Sequence, residues 1–343
     1  MSCRSLMLRF AFFIASVAVF ALAVTKWSNH DPLVPPPPTI VLGGVLFDVK
    51  TTSETHCENT SVPGKINQSI GGVAFNMASA VINAGGLPLL FSVTGTDAIG
   101  AHIRKIINGM RIDHIGMEVH EGSTPMFVSL STGGELVTAV ADTALLDQHV
   151  GAMINGSMLA FQMRVAKAAL IDMNIEAEHV IRALALTEEH GVFTVIDPVS
   201  IPKAERLRAV LESGARVDLI SPNRIELKAL AADPNDDDDT EAWVHTASHE
   251  LLARYPNLGG VITTMGARGV TLVERTRTLT LPAIPVESVV DSTGCGDAFI
   301  GATVGSLGAT LCDWAIDPEV CVSKGLEAAA RVLESDQSAL FYV

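Results

Sequence analysis

The sequence predicts an α/β fold, a three-layer α/β/α sandwich with a mainly parallel sheet and a small additional β-sheet. Three observations predict it. From Ala168 onward, apolar strand-like runs alternate with helical stretches, which implies parallel strands covered by helices on both faces. The opening run Ile40-Val-Leu-Gly-Gly-Val-Leu46 reads as a buried strand with a glycine break. A hairpin pattern around Gly133 does not fit the βα rhythm, so it belongs to a separate small sheet.

The regular pattern starts at Thr39. Val73 to Ala84 has helical spacing and stops at Gly85-Gly86. Pro88 to Val93 reads as a strand, and Ala98 to Met110 as a helix ending near Gly109. Met126 to Leu130 and Leu136 to Val140 flank Gly133-Gly134 as a hairpin. The small sheet draws its strands from about residues 45–70 and 112–142. Ala168–Asp172, Phe193–Asp197, Leu219–Ser221 and Gly260–Thr264 are the later strands, with helices between them. Ligands of open α/β sheets bind outside the carboxyl ends of the strands. Asp48, Asp172, Asn174, Asp197, Asn223 and Thr264-Met-Gly266 all fall at or just after predicted strand ends, so they should converge on one edge.

The 343 residues suffice for one large domain or two ordinary ones, and 48% are hydrophobic, enough for a sizeable core. A net charge of −15 argues against a nucleic-acid surface, which wants a basic stripe. Part of that charge is the run Asp233 to Asp239, read as a solvated loop rather than the alternative metal site, since nothing near it looks like a ligand scaffold. The five cysteines (Cys3, Cys57, Cys295, Cys312 and Cys321) show no CxxC spacing, which fits reduced thiols better than a disulfide frame or zinc site. Residues 1–38 stand outside the predicted fold: an apolar run over 10–25 behind Arg4 and Arg9, then the extended spacer Pro35-Pro-Pro-Pro38. The apolar run is a little short for a membrane span. It fits a signal peptide with Ala21-Leu-Ala23 as cleavage site, a signal anchor tethering the protein to a membrane, or an extension on a cytosolic enzyme.

The most informative stretch is Asp291-Ser-Thr-Gly294-Cys295-Gly296-Asp297, leading into an apolar helix. Small residues at a helix start let several backbone N–H groups point at one spot, where they favour a developing anion. Asp297 places a carboxylate beside that spot. An anion cradle next to a base is what phosphoryl transfer to a hydroxyl needs. The plainer alternative is a glycine-rich turn capped by Asp. Three weaker motifs precede it. Gly71-Gly72-Val-Ala-Phe-Asn76 enters the first long helix, or is a tight turn with Asn in the first helical turn. Asn223-Arg-Ile-Glu226 sets two polar side chains on one helix face, or is a cap with a solvated Glu. Thr264-Met-Gly266-Ala-Arg-Gly269 follows a strand, or is a hairpin turn.

Taken in order, these motifs resemble the ribokinase-like (PfkB-type) carbohydrate and nucleoside kinases over residues 39 to about 343. The resemblance implies a ribokinase-like fold and a role for each residue. Asp297 would be the base, with Gly294, Cys295 and Gly296 as the backbone anion hole. Asp48, Gly72 and Asn76 would hold the sugar hydroxyls. Asn223, Thr264, Gly266 and Gly269 would bind the nucleotide, with Asn223 and Glu226 holding Mg²⁺ through water. The small sheet, with Phe127, would be a lid that keeps ATP from water. ATP and Mg²⁺ are the implied cofactors, with a monovalent cation such as K⁺ as a further expectation, and a homodimer is expected from relatives whose lids pair.

Within the family, Pro63 to Val73, Gly134-Glu135-Leu136 with Ala141-Asp142, and Ala328 to Asp336 look most like pseudouridine kinases. These phosphorylate the 5′-hydroxyl of pseudouridine and in many eukaryotes are joined to a pseudouridine-5′-phosphate glycosidase, a functional link expected here too. Cys295 replaces the commoner Ala, Phe75 stands where Arg is frequent, and Leu46 where Asn is frequent. The last two put the acceptor in question. A ribokinase-like or adenosine-kinase-like enzyme is the alternative of the same chemistry, and a non-catalytic nucleotide- or sugar-binding protein the alternative of another class. Use of ATP favours the cytoplasm or a cytosol-facing anchor.

Overall fold

Two apolar layers flank one central strand. Thr39–Leu42 (β1) is wholly buried, and its side chains alternate: Ile40 and Leu42 join one layer, Val41 the other. The computed structural model describes residues 36–343 except 56–59, 111, 134, 232–239, 310–311, 336, 338 and 340–343. The apolar segment 10–25, Cys3, Cys57 and the acidic run 233–239 therefore lie outside the described residues.

After β1 come β2 (Leu46–Ser53), β3 (Gly64–Gly71), α1 (Val73–Asn83), β4 (Pro88–Gly95), α2 (Ala98–Gly109) and β5 (Asp113–His120). The hairpin β6 (Met126–Thr132) and β7 (Glu135–Asp142) leads to α3 (Ala144–Ile154) and α4 (Ser157–Met163). Alternation then sets in with β8 (Ala168–Asp172), α5 (Ala177–His190), β9 (Phe193–Asp197), α6 (Ile201–Glu212), β10 (Val217–Ile220), α7 (Arg224–Ala231), α8 (Glu241–Arg254) and β11 (Leu258–Thr264). The chain closes with β12 (Val270–Glu274), β13 (Thr278–Leu281), α9 (Cys295–Gly308) and α10 (Pro318–Leu333).

Among the described residues, nine strands form one sheet in the order β13-β12-β11-β10-β9-β8-β1-β4-β5. It is parallel from β11 to β5, and only β12 and β13 run antiparallel at one edge. All eight residues of β4 are buried, as expected of a strand covered on both faces. Helices α3 to α8 pack on one face, and α1, α2, α9 and α10 on the other. Local signals bound the helices. Gly191 closes α5 in the left-handed region at φ 67°, and the Asp97 carboxylate caps α2 by accepting from the Gly100 N–H at 2.8 Å.

The second sheet has the order β3-β2-β6-β7 and contains the expected hairpin. Two expectations need correction. The segment 113–120 does not belong to the small sheet; it pairs in parallel with β4 at the edge of the large one, because its residues follow a crossover helix on the same face. Asp48 is not at the end of a central strand either. The chain leaves the large sheet at Gly43-Gly44, and Asp48 lies inside β2 of the small sheet. The break is steric, since a Cβ on Gly43 would lie 2.2 Å from the Asp172 carboxylate.

The cysteine expectation is also corrected. Cys312 and Cys321 form a disulfide with Cα atoms 5.5 Å apart. The bend between α9 and α10 returns the chain on itself, so two cysteines nine apart meet although no short motif announces them. Among the described residues no helix is long and apolar enough to cross a membrane.

Candidate active site

Four carboxylates gather at the carboxyl edge of the large sheet. Asp172 ends β8 and Asp197 ends β9, Glu226 lies in the first turn of α7, and Asp297 lies in the first turn of α9. Asp172 is fully buried and structural: it accepts from the Gly44 N–H at 2.9 Å, the Ala74 N–H at 3.1 Å and the Asn174 N–H at 2.9 Å. It thereby ties the glycine break to the start of α1. Burial nevertheless pushes its carboxyl up.

Asp297 is the centre of the cluster. Its carboxylate accepts from Asn76 Nδ2 at 2.7 Å. Burial, joined by the charges of Asp172, Glu226 and Asp48, pushes it up to about 7 against the pull of that hydrogen bond. Asp197 is pushed well up for the same reasons, by burial first and then by Asp297 and Glu226. These acids therefore share one field. Asp48, buried in the small sheet, rises to about 6 through burial, opposed by Lys50.

The helix behind Asp297 opens as expected. Gly294 takes a left-handed conformation at φ 82°, and no side chain caps α9. The first N–H groups of a helix have no intrahelical acceptor. The Cys295 N–H turns back to the Ser292 carbonyl at 3.3 Å, while the exposed Gly296 opens on a cavity. Burial and the charges of Asp291 and Asp297 push the Cys295 thiol up to about 12, which keeps it in the protonated form.

Gly72 and Asn76 are placed by one turn. Gly72 precedes α1 at φ 92°, and a Cβ there would lie 2.4 Å from the Gly44 carbonyl oxygen. This contact aims the first turn of α1, with Asn76, at Asp297. Phe75 is fully buried in the apolar layer, so that departure from the family pattern falls in the core. Leu46 is also buried, at the Gly44 and Gly72 backbone.

Asn223 and Glu226 form a reciprocal cap. The Asn223 N–H donates to Glu226 Oε2 at 2.9 Å, and the Glu226 N–H donates to Asn223 Oδ1 at 2.9 Å. The cap is real, but Glu226 is not solvated: it is 7% exposed, and burial raises its carboxyl against the hydrogen bonds from Asn223. Asn223 also bridges to Thr264 in parallel, which brings the next motif alongside. Met265 to Gly269 is indeed the turn of a hairpin, from β11 to β12, with a short 3-10 segment at Gly266–Arg268.

Asn223, Thr264, Gly266, Gly269, Cys295 and Gly296 line a common cavity of about 370 Å³. Its far wall is apolar, from Ile284, Leu326, Ala329, Ala330 and Leu333. A second cavity of about 740 Å³ runs along the small sheet, lined in part by Lys50, Asn67, Ser69, His102 and Asp291. The fold thus sets Asn223, Thr264, Gly266, Gly269, Cys295 and Gly296 around one cavity, with Asp297, held by Asn76, in the same first turn of α9 as Cys295 and Gly296.

Two contacts escape sequence reading. Lys203 donates to Asn174 Oδ1, and Lys50 pairs with Asp291 at 3.0 Å. A charged residue two positions after Asp48, on the same face of a strand, is the signal that could have marked Lys50.

Residues 39–340 match the profile described as pfkB family carbohydrate kinase. A pseudouridine kinase of Arabidopsis thaliana is 25% identical over 197 residues, covering 56% of this chain and 50% of that protein, so the matched stretch spans half of the relative's length. A pseudouridine kinase of Escherichia coli is 26% identical over 271 residues, 76% of this chain and 80% of that protein. The structure of Arabidopsis thaliana ribokinase complexed with ribose and ATP superposes with a TM-score of 0.76 at 18% identity, covering 89% of this chain and 94% of that one. The fold is therefore ribokinase-like, and the chain belongs to the pfkB family of carbohydrate kinases, ATP-dependent phosphotransferases that act on an alcohol group.

Proposed function

We propose that this kinase phosphorylates the 5′-hydroxyl of a nucleoside, with pseudouridine as the acceptor. The observation that carries the reading is Asp297: a carboxylate held by Asn76 at 2.7 Å, at the uncapped start of α9, whose Cys295 and Gly296 line the cavity of about 370 Å³. The acceptor hydroxyl lies against Asp297, which takes its proton as the phosphoryl group arrives. The backbone at Gly294 to Gly296 stabilises charge on the transferred group. Asp48 and Asn76 orient the sugar, and Gly72 places Asn76. ATP lies with its base against Ala329 and Leu333 and its phosphates toward Asn223, Thr264 and Gly296.

Mg²⁺ fits the donor set. Glu226 and Asp197 are buried acids, and the charge of Glu226 helps push the Asp197 carboxyl up, a repulsion that a dication relieves. Among the described residues no three His, Cys, Asp or Glu side chains converge to hold a bare ion, so Asn223 and Glu226 would hold it through water. Bound there, it would neutralise charge on the nucleotide phosphates.

The choice of a nucleoside rests on the two relatives named for pseudouridine and on the size of the cavity along the small sheet, about 740 Å³. The small sheet acts as a lid. Its outer face leaves Ile66 67%, Val128 41% and Val140 66% exposed, which supports pairing in a homodimer. Need of ATP favours the cytoplasm. The test is incubation of the full-length protein with ATP, Mg²⁺ and a panel of nucleosides and sugars, read by mass. Pseudouridine turned over best supports the reading; ribose or adenosine turned over better discards the acceptor and keeps the chemistry.

A further inference from the structure

We propose that Lys50 is a positioning residue that sets the distance between the acceptor strand and the phosphoryl cradle. The inference rests on the kinase reading of Asp48 and of the Gly294 to Gly296 backbone. Lys50 and Asp48 are two apart in β2, so they share a face; Asp48 is opposite Ser69, and Lys50 opposite Asn67. The Lys50 ammonium meets Asp291 Oδ2 at 3.0 Å, with the two side chains 25% and 33% exposed.

Asp291 divides its two oxygens between two tasks. Oδ1 accepts from the Thr293 N–H at 2.9 Å and from Thr293 Oγ1 at 2.8 Å, which shapes the turn into Gly294. Oδ2 reaches out to the small sheet through Lys50. Burial alone would raise the Asp291 carboxyl, but the Thr293 and Lys50 hydrogen bonds outweigh it and hold the group below its ordinary value, so it is ionised when it pairs. The loop is anchored behind as well, since the Val290 N–H donates to the Leu333 carbonyl at 2.8 Å. One side of Asp291 thus sets the cradle, and the other sets where β2 lies against it. Lys50 and Asp291 both line the cavity along the small sheet, so the pair bridges β2 and the loop before α9 at that cavity. Phosphoryl transfer depends on alignment to within about an ångström, and a displacement of about 1 Å can cost roughly a hundredfold in rate.

The test uses full-length protein with Lys50→Met, Lys50→Arg, Asp291→Asn and the Lys50→Met/Asp291→Asn double variant. Asp291→Asn keeps an oxygen for Thr293 and removes the charge. Lys50→Met should lower kcat about tenfold, leave the KM for ATP unchanged, and speed amide exchange of residues 46–53 and 290–294 about threefold, the scale of a partly exposed ion pair. Lys50→Arg should recover most of the kcat. The double variant should be no slower than the worse single one, because both remove the same bond. Unchanged kcat and exchange in Lys50→Met, or losses that multiply in the double variant, would overturn the proposal. If the wild-type protein phosphorylates no acceptor, the functional reading fails, and the exchange comparison still decides whether Lys50 holds the strand to the loop.

Discussion

Replacing Asp297 by Asn should move activity and stability in opposite directions. The folded-state carboxyl sits at about 7 against an ordinary 3.8. Because the folded value is raised, the ionised form costs folding free energy. That cost is absent below about pH 4, grows as pH rises between the two values, and is complete above about pH 7. A difference of about three pH units sets a ceiling of about 4 kcal/mol. Asp297 keeps some contact with solvent, which screens its charge, so about 1–2 kcal/mol is the expected cost. Asn retains an oxygen that can accept from Asn76 Nδ2, so the substitution removes the charge and spares the contact. Denaturant unfolding should therefore find Asp297→Asn more stable than wild type by about 1–2 kcal/mol at pH 8, and no more stable at pH 4. The same variant should lose about a thousandfold in kcat, within the usual range for removal of a general base. In the wild type, kcat/KM should fall as pH drops from 8 to 6, because the base must be unprotonated. A variant that is equally stable relative to wild type at both pH values would sink the electrostatic argument. Retention of kcat within tenfold would sink the base assignment.

Two further outcomes test the placement of the cavities. Gly72→Ala should cost about 1–3 kcal/mol by thermal unfolding, since a side chain at φ 92° is strained and its Cβ would press on the Gly44 carbonyl. Ala329→Trp should fill the apolar wall of the Gly296 cavity and raise the KM for ATP at least about tenfold by steric exclusion, with the acceptor KM little changed; equal ATP affinity would move the nucleotide elsewhere.

Much of this architecture was legible in the chain because its signals are local. Continuous apolar runs such as Ala168 to Ile171 mark strands buried on both faces, and Gly133 marks the hairpin turn. The glycine-rich approach to Asp297 needs no partner to be read as a helix start with open N–H groups. Asn223 and Glu226, three apart, form their cap within one helical turn. What escaped reading depends on contacts between distant residues. Segment 113–120 has no pattern that says which sheet it joins; packing after α2 decides it. A glycine break looks alike in sequence whether the strand resumes or changes sheets, and Asp172 on another strand settles where Asp48 lies. The Cys312–Cys321 bridge follows from a chain reversal that spacing alone does not encode.

The layered α/β architecture, the order of the motifs and the helix start that carries Asp297 follow from periodicity, turn residues and short spacing along the chain. Folding in three dimensions is what lets Asn76 hold Asp297 across 221 positions, sets four acids in one field, and brings Lys50 to Asp291 across 241. Hydrogen bonds and charges act over a few ångströms of space, and only the fold converts so long a separation along the chain into such a distance.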